Sequence, residues 1–231
     1  MQPKFEQFEK RVGVTFNDKS LLKEAFTHRS YLNENRGSIK RHNERLEFLG
    51  DAVLELVVTK FLYDKYPDST EGDLTAYRAA LVNAVTLSEV SKELGVEDYL
   101  LLSKGEAKDK GRARDAILAN AFESVVGALY LDQGYDSAKD FIAKYVFPLT
   151  EKIVAEKTWL DNKSHFQEQA QEHVGITPSY RTLEEVGPDH ERCFKVGVYL
   201  GEELVAGGEG RSKQEAEQDA AKRGLEKKGW V

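Results

Sequence analysis

Three acidic residues recur at helical spacing in the first quarter of the chain. Glu44, Glu47 and Asp51 lie three and then four residues apart, so a helix places them on one face. Carboxylates gathered on one face can bind a divalent metal ion. The simpler interpretation is a solvated acidic face, which is typical of charged helices. The spacing alone leaves both interpretations open.

Two neighbours of these acids favour a metal site beside an interface. Phe48 falls among the carboxylates, and an apolar aromatic ring is unfavourable on a solvated face. Gly50 costs about 1 kcal/mol in a helix interior, so we expect something to approach the backbone there. Asn43 is expected to cap this helix at its start. The opposite face is predicted to be buried because it is apolar, and it carries Leu46, Leu49, Val53, Leu56 and Val57.

A second helix, predicted over residues 116–131, has apolar or small residues on all sides. Such a helix is expected to be buried. Asn120 and Glu123 are three residues apart and share a face. A buried carboxylate costs several kcal/mol unless a cation or hydrogen bonds compensate it. Glu123 therefore either pairs with an arginine or lysine, or shares a metal ion with Glu47 and Asp51.

The composition limits the class of protein. The chain has 231 residues and a formal net charge of −7, so any contact with nucleic acid must be focal or helped by bound cations. Cys193 is the single cysteine, which excludes an internal disulfide. No apolar run approaches the ~18 residues that a membrane span needs, and the N-terminus lacks a signal-peptide pattern. We expect a cytoplasmic protein with no membrane association.

The elements that must position these residues fall into two groups. The first group is helical, and includes one helix predicted over 73–94 that starts at a Thr70 capping pattern. The second group follows the order α-β-β-β-α and ends in a helix capped by Ser212. We expect a first domain over 1–154, a linker over 155–161 and a second domain over 162–231.

Two stretches of sequence resemble known families. Residues 43–51, Asn-Glu-Arg-Leu-Glu-Phe-Leu-Gly-Asp, closely resemble the signature of the ribonuclease III nuclease domain. Residues 162–231 resemble a double-stranded-RNA-binding domain, on the words Pro-Ser-Tyr at 178–180, Gly-Pro-Asp-His at 187–190 and Gly-Glu-Gly-Arg-Ser-Lys at 208–213. The resemblance implies an all-α nuclease domain followed by a small α+β (α-β-β-β-α) double-stranded-RNA-binding domain.

The resemblance to ribonuclease III implies metal-assisted hydrolysis of phosphodiester bonds in double-stranded RNA. The expected products carry 5′-phosphates, 3′-hydroxyls and two-nucleotide 3′ overhangs, and the expected substrates are rRNA precursors, mRNA and other structured transcripts. Mg²⁺ is the expected ion, and Mn²⁺ is an alternative. The implied metal ligands are Glu47, Asp51, Asn120 and Glu123, with Asp51 and Glu123 catalytic.

Further roles follow from the same resemblance. Glu44 and Glu71 are expected to support the substrate, although first-turn capping is the simpler role for Glu71. Phe48 is expected to insert into a second subunit, which implies a homodimer. The family usually has aspartate where this chain has Asn120. That difference is the one feature that favours an alternative, a non-catalytic double-stranded-RNA-binding protein.

The second resemblance assigns an RNA-binding surface. Minor-groove hydroxyls and base edges of A-form RNA are expected to meet Gln167, Glu168 and Gln171, with His190 reaching a second minor groove. Phosphates between the grooves are expected at the start of the last helix, at Arg211, Ser212 and Lys213. The family commonly has a second lysine after Lys213, where this chain has Gln214, so weaker binding is expected.

Overall fold

The computed structural model describes residues 4–35, 41–108, 111–155, 162–187 and 192–230. The chain divides into two compact units, Met1–Trp159 and Leu160–Val231. The predicted limits at 154 and 162 stay predictions, since residues 156–161 lie outside the described ranges. In the described part of the chain, no helix combines the length and the apolar character that a membrane crossing requires.

Helices build the N-terminal unit. Short 3-10 turns at Val96–Tyr99 and Glu106–Lys108 separate the sixth helix from the seventh. The helices are α1 (Phe5–Val12), α2 (Lys19–Ala25), α3 (Arg29–Glu34), α4 (Glu44–Lys65), α5 (Glu71–Val82), α6 (Ala84–Glu93), α7 (Arg112–Tyr145) and α8 (Leu149–Ala155). Helices α4 and α7 pack along each other in the centre of this unit. The all-helical prediction for this part of the chain is therefore confirmed.

The acidic helix α4 buries a slightly different face from the predicted one. Leu46, Val53 and Val57 are buried as expected. Leu56 was expected on the same face, and this is wrong: its side chain is 58% exposed. Leu54 is buried instead, because α7 covers the side of α4 on which Leu54 lies.

Asn43 does not cap α4 with its side chain, so that prediction is wrong. Its side chain is buried and makes no capping hydrogen bond. Its backbone holds the start of the helix instead. The Asn43 N–H donates to the Thr27 carbonyl at 2.9 Å, and the Asn43 carbonyl accepts from the Ser124 hydroxyl at 3.3 Å. Tertiary contacts at this position replace the local cap.

The single helix predicted over 73–94 is two helices. Asn83 stands between α5 and α6 in an extended conformation, and its side chain accepts from the Thr86 N–H at 2.9 Å. An asparagine that caps the following helix stops the preceding one. The Thr70 cap is confirmed, because the Thr70 hydroxyl accepts from the Asp73 N–H and the Asp73 carboxylate accepts from the Thr70 N–H.

The long helix α7 is interrupted at Gly134, shortly after the predicted helix end at residue 131. Gly134 has φ +83°, outside the helical region. Residues on the N-terminal side of Gly134 fill the core, and those on the C-terminal side pack Phe141 and Ile142 into the same core. The interruption lets one continuous segment bury two differently directed faces.

The C-terminal unit has the predicted order α-β-β-β-α. Helices α9 (Asn162–Val174) and α10 (Lys213–Lys228) pack on each other and on the sheet. The strands β1 (Ser179–Val186), β2 (Cys193–Leu200) and β3 (Glu203–Gly210) form an antiparallel sheet in the order β1-β2-β3. The Ser212 cap is confirmed, since its hydroxyl accepts from the Glu215 N–H at 3.1 Å. The small core contains Phe166, Ala170, Val198, Leu200, Val205, Ala220, Ala221 and Leu225.

Candidate functional site

Two glycines allow α4 and α7 to touch backbone to backbone. A Cβ on Gly50 would lie 1.8 Å from the Glu123 carbonyl oxygen, and a Cβ on Gly127 would lie 2.2 Å from the Leu46 carbonyl oxygen. Atoms cannot approach so closely, so only glycine fits at either position. The close approach predicted at Gly50 is confirmed. The contact joins the turn of α4 that carries Asp51 to the turn of α7 that carries Glu123.

Electrostatic coupling shows that acids from the two helices face each other. Burial, followed by the negative charges of Asp51 and Glu47, raises the pKa of Glu123 to about 8. Burial also raises the pKa of Glu47, and Glu44 and Asp51 add to the effect. A hydrogen bond from the Asn120 amide opposes the rise at Glu47. Glu47, Asp51, Asn120 and Glu123 therefore form one cluster, called the acidic cluster below.

The acidic cluster has no protein cation to balance it in the described residues. None of the ion pairs found there joins an arginine or lysine to Glu47, Asp51 or Glu123. The interpretation of Glu123 as the partner of a basic side chain thus has no support in this part of the chain. Glu47 and Glu123 are half-buried and Asp51 is exposed beside them, and mutually repelling carboxylates of this kind favour a bound cation.

The donor chemistry of the cluster fits a hard divalent ion, which prefers carboxylate and amide oxygens. The arrangement is open rather than closed around an ion. Among the described residues, no three His, Cys, Asp or Glu side chains stand close enough together to hold a metal as they are. An ion held there requires the carboxylates of Glu47, Asp51 and Glu123 to come closer together than they stand in this structure.

The two acids expected to support the substrate stand in different surroundings. Glu44 lies one turn before Glu47, where Arg29 approaches its carboxylate at 3.3 Å and His42 at 3.7 Å. Glu71 is exposed in the first turn of α5. It is not among the charges that shift the pKa of Glu47 or Glu123. The structure therefore groups Glu44 with the acidic cluster and leaves Glu71 on a separate helix.

Phe48 belongs to an exposed apolar stripe on α4. Its side chain is 81% exposed, although it adjoins the acidic cluster in sequence. Leu56 and Tyr63 are exposed on the same helix, eight and fifteen residues further on. Eight and fifteen residues correspond to rotations of about 80° and about 60° beyond whole turns, so the three side chains share one broad side of the helix, called the α4 stripe below.

The residues expected to bind RNA are exposed on the C-terminal unit. Gln167, Glu168 and Gln171 lie on the outer face of α9, whose inner face carries the buried Phe166 and Ala170. At the other helix, Ser212 caps α10 beside the exposed Arg211 and Lys213. His190 lies outside the described residues.

Sequence reasoning missed two glycines that place the start of α10. A Cβ on Gly208 would lie 2.1 Å from the Ala220 backbone nitrogen, and a Cβ on Gly210 would lie 2.5 Å from that of Ala216. The helix therefore rests directly on β3, which fixes the position of its backbone. Glycines repeated opposite an alanine-rich helix were the available signal.

Sequence reasoning also missed an acidic partner of Lys213. The Lys213 Nζ lies 2.7 Å from a carboxylate oxygen of Glu185, at the end of β1. The Arg192 guanidinium approaches the other oxygen of the same carboxylate at 3.9 Å. A cation expected to meet phosphate thus has an internal anion as its neighbour.

The fold and these residues define a class of protein with a helical domain that holds an acidic cluster, followed by an α-β-β-β-α domain. Comparison with known proteins gives the same division. Residues 18–149 match the family model described as ribonuclease-III-like, and residues 162–228 match the double-stranded RNA binding motif.

Individual relatives cover nearly the whole chain. A protein named ribonuclease 3 from Nitratiruptor sp. is 43% identical over 95% of both chains, and one from Latilactobacillus sakei is 48% identical over 94% of both. The solved nuclease domain of ribonuclease III from Campylobacter jejuni is 38% identical, with a TM-score of 0.57. It covers 63% of this chain and 97% of its own length. The chain belongs to the ribonuclease III family, and it is an endoribonuclease that acts on double-stranded RNA.

Proposed function

We propose that this chain hydrolyses phosphodiester bonds in double-stranded RNA with divalent metal ions held by the acidic cluster. The observation that carries the proposal is the contact of α4 with α7. At this contact the negative charges of Asp51 and Glu47 help to raise the pKa of Glu123. The proposed ion is Mg²⁺, with Mn²⁺ as an alternative. The proposed ligands are Glu47, Asp51, Asn120 and Glu123.

Each member of the cluster has a proposed task. When bound, divalent metal ions would activate the attacking water and stabilise the leaving oxygen. Glu123 would be a ligand shared by the ions, and Asp51 would also orient the water. With a pKa of about 8, Glu123 must lose its proton before it can serve as a ligand, so ion binding should strengthen as the pH rises toward 8. Asn120 supplies a neutral oxygen.

The neighbouring acids are proposed to act on the substrate rather than on the ions. Glu44 has a cationic neighbour in Arg29, which fits a role in holding the loop and RNA beside the cluster. Glu71 is exposed at the first turn of α5. Its proposed role is to support the RNA near the bond that is cut.

RNA binding is supported by the match to the double-stranded RNA binding motif. In the proposed arrangement, Gln167, Glu168 and Gln171 hydrogen-bond minor-groove hydroxyls and base edges. Arg211, Ser212 and Lys213 meet the phosphates that lie between two minor grooves. His190 is proposed to reach the second minor groove.

A homodimer accounts for double-strand cleavage. Phe48 and the rest of the α4 stripe are exposed apolar side chains, and large exposed apolar patches mark interaction sites. The related Campylobacter jejuni structure is described as having a region involved in dimer formation. A two-fold symmetric pair would place two equivalent sites across one groove. Each site cuts one strand, which leaves two-nucleotide 3′ overhangs with 5′-phosphate and 3′-hydroxyl ends.

The test is cleavage of a long RNA duplex with Mg²⁺, with Mn²⁺ and with a chelator. The proposal expects short duplexes in the presence of either ion, with the stated ends, and intact RNA in the chelator. Binding without cleavage in every ion would instead support the alternative, a non-catalytic double-stranded-RNA-binding protein that Asn120 alone favours. Processing of rRNA and mRNA precursors in the cytoplasm is part of the same proposal.

A further inference from the structure

The start of α10 carries fewer available positive groups than its sequence indicates. Lys213 and Arg192 both approach one carboxylate, that of Glu185, at 2.7 and 3.9 Å. The Arg211 backbone N–H donates to the Glu215 carboxylate at 2.9 Å. Anionic oxygens of the protein thus occupy donors that a phosphate oxygen would use.

The position of Lys213 is set by the fold and not by Glu185 alone. Gly210 brings the first turn of α10 against β3, and the Lys213 Nζ lies 5.6 Å from the centre of the Phe194 ring. Removing the carboxylate would therefore leave the backbone of Lys213 in place, and its ammonium group would lose this anion. The pair is also accessible, since the side chains of Lys213 and Glu185 are 57% and 39% exposed.

We propose that Glu185 is an internal competitor of the RNA phosphate for Lys213, and that it sets the affinity of this domain for duplex RNA. This inference rests on the proposed contact of Lys213 with phosphate. The carboxylate is ionised at neutral pH, since the hydrogen bond from Lys213 lowers the pKa of Glu185. A phosphate must displace that carboxylate or bind beside it, and either event weakens binding.

Glu184 offers a matched control for this proposal. It adjoins Glu185 in sequence and is also exposed, but its carboxylate pairs with Lys195 at 3.2 Å. Glu184→Gln and Glu185→Gln remove the same charge from neighbouring positions. The long-range effect of a charge on a polyanion is therefore similar in the two variants, whereas the local effects differ: Glu185→Gln releases Lys213 and Arg192, and Glu184→Gln releases Lys195.

The experiment measures the Kd of the full chain for a short RNA duplex, in a chelator and over a range of salt concentrations. Glu185→Gln should bind roughly threefold to tenfold more tightly than Glu184→Gln near 0.1 M salt. The slope of log K against log salt should become steeper by up to about 0.9, which is the change expected for one additional phosphate contact. In the Lys213→Gln background, Glu185→Gln should no longer strengthen binding.

Two outcomes separate this inference from the function on which it rests. If Lys213→Gln alone leaves the Kd unchanged, the phosphate contact itself is absent, and that part of the proposed function fails with the inference. If Lys213→Gln weakens binding but Glu185→Gln binds no more tightly than Glu184→Gln, the inference alone is overturned. A loss of affinity in Glu185→Gln overturns it as well, because Glu185 would then assist Lys213.

Discussion

The two units of this molecule hold their functional residues in opposite ways. The acidic cluster depends on two closely packed helices whose backbones touch at Gly50 and Gly127. The residues expected to bind RNA stand on exposed surfaces of α9 and α10. The backbone of α10 also rests on β3, but the exposed side chain of Lys213 has another side chain as its partner. The first arrangement has no room to adjust, whereas the second can change one side chain at a time.

This difference predicts different responses to substitution. Changes at the helix contact should act on folding and catalysis together, because the same backbone contact does both. Changes to the protein residues expected to bind RNA should give graded losses of affinity. Each side chain contributes separately, and water can take over the hydrogen bonds of a side chain that is removed. The predictions below run from the largest expected effect to the smallest.

Gly50→Ala should have the largest effect. The new methyl group would lie 1.8 Å from the Glu123 carbonyl oxygen, so α4 and α7 must separate. We expect a denaturant titration to show that the free energy of unfolding falls by about 3 kcal/mol or more. We expect an assay with duplex RNA to show that cleavage is lost. Gly72→Ala is the control, since its Cβ would meet only the Thr70 hydroxyl at 3.7 Å. Equal stability of the two variants would contradict the backbone contact.

Phe48→Ala should weaken self-association without unfolding the chain. The ring is 81% exposed, so its removal costs the isolated subunit little, while an interface anchor is worth about 2 kcal/mol or more. Sedimentation at submicromolar concentrations should show dissociation. Val85→Ala is the control, because Val85 is 66% exposed on α6, away from the α4 stripe. A Phe48→Ala protein that stays wholly dimeric would contradict the proposed role of Phe48 in the dimer interface.

Glu123 should make the metal-free protein less stable as the pH rises. Its pKa is raised to about 8 in the folded state, against about 4.3 in the unfolded chain. The folded state therefore holds the extra proton, and its stabilising effect is full below about 4.3 and lost as the pH rises through about 8. Calorimetry in a chelator should show a lower unfolding temperature as the pH is raised through this range.

The matching substitution tests the same charge. Glu123→Gln cannot ionise, so near pH 8 and without metal it should unfold roughly 2 to 8 °C above wild type, after a discount for solvent screening. Near pH 5 the two proteins should differ little. Glu55→Gln, on an exposed position of α4, should follow wild type. If Glu123→Gln were no more stable than wild type at high pH, the ionised carboxylate of Glu123 would not destabilise the folded, metal-free protein.

Gln171→Ala should have the smallest effect. The side chain is exposed on α9 and is neutral, so its loss removes hydrogen bonds to RNA without changing counterion release. We expect the Kd for duplex RNA to rise about twofold to tenfold and the salt slope to stay constant. Gln7→Ala, on the exposed face of α1, is the control. Wild-type affinity in Gln171→Ala would remove Gln171 from the proposed RNA surface.

Local sequence rules predicted much of the framework because they depend on neighbours in the chain. Thr70 and Ser212 cap helices as expected, and the α-β-β-β-α order followed from alternation and turns. Gly50 could be recognised because a glycine in a helix interior needs a reason. Gly127 gave no such signal, since it stands among small residues in a helix that is apolar on all sides.

The errors arose where tertiary contacts override local preference. Asn43 has the residue type of a cap, but it is buried among contacts from Thr27 and Ser124. Leu56 has the right spacing for the core, yet α7 covers the side of α4 that carries Leu54. Asn83 ends one helix and caps the next within an apolar pattern that reads as one helix. Periodicity gives the width of an apolar face and not the partner that covers it.

The central claim is that anionic oxygens from α4 and α7 act together on the RNA backbone. Its most direct test measures cleavage of one long RNA duplex in Mg²⁺, and binding of the same duplex in a chelator, by wild type and Glu123→Gln. We expect cleavage to fall by at least about a thousandfold, while the Kd stays within about twofold of wild type. Cleavage by Glu123→Gln at the wild-type rate would contradict the assignment of the acidic cluster.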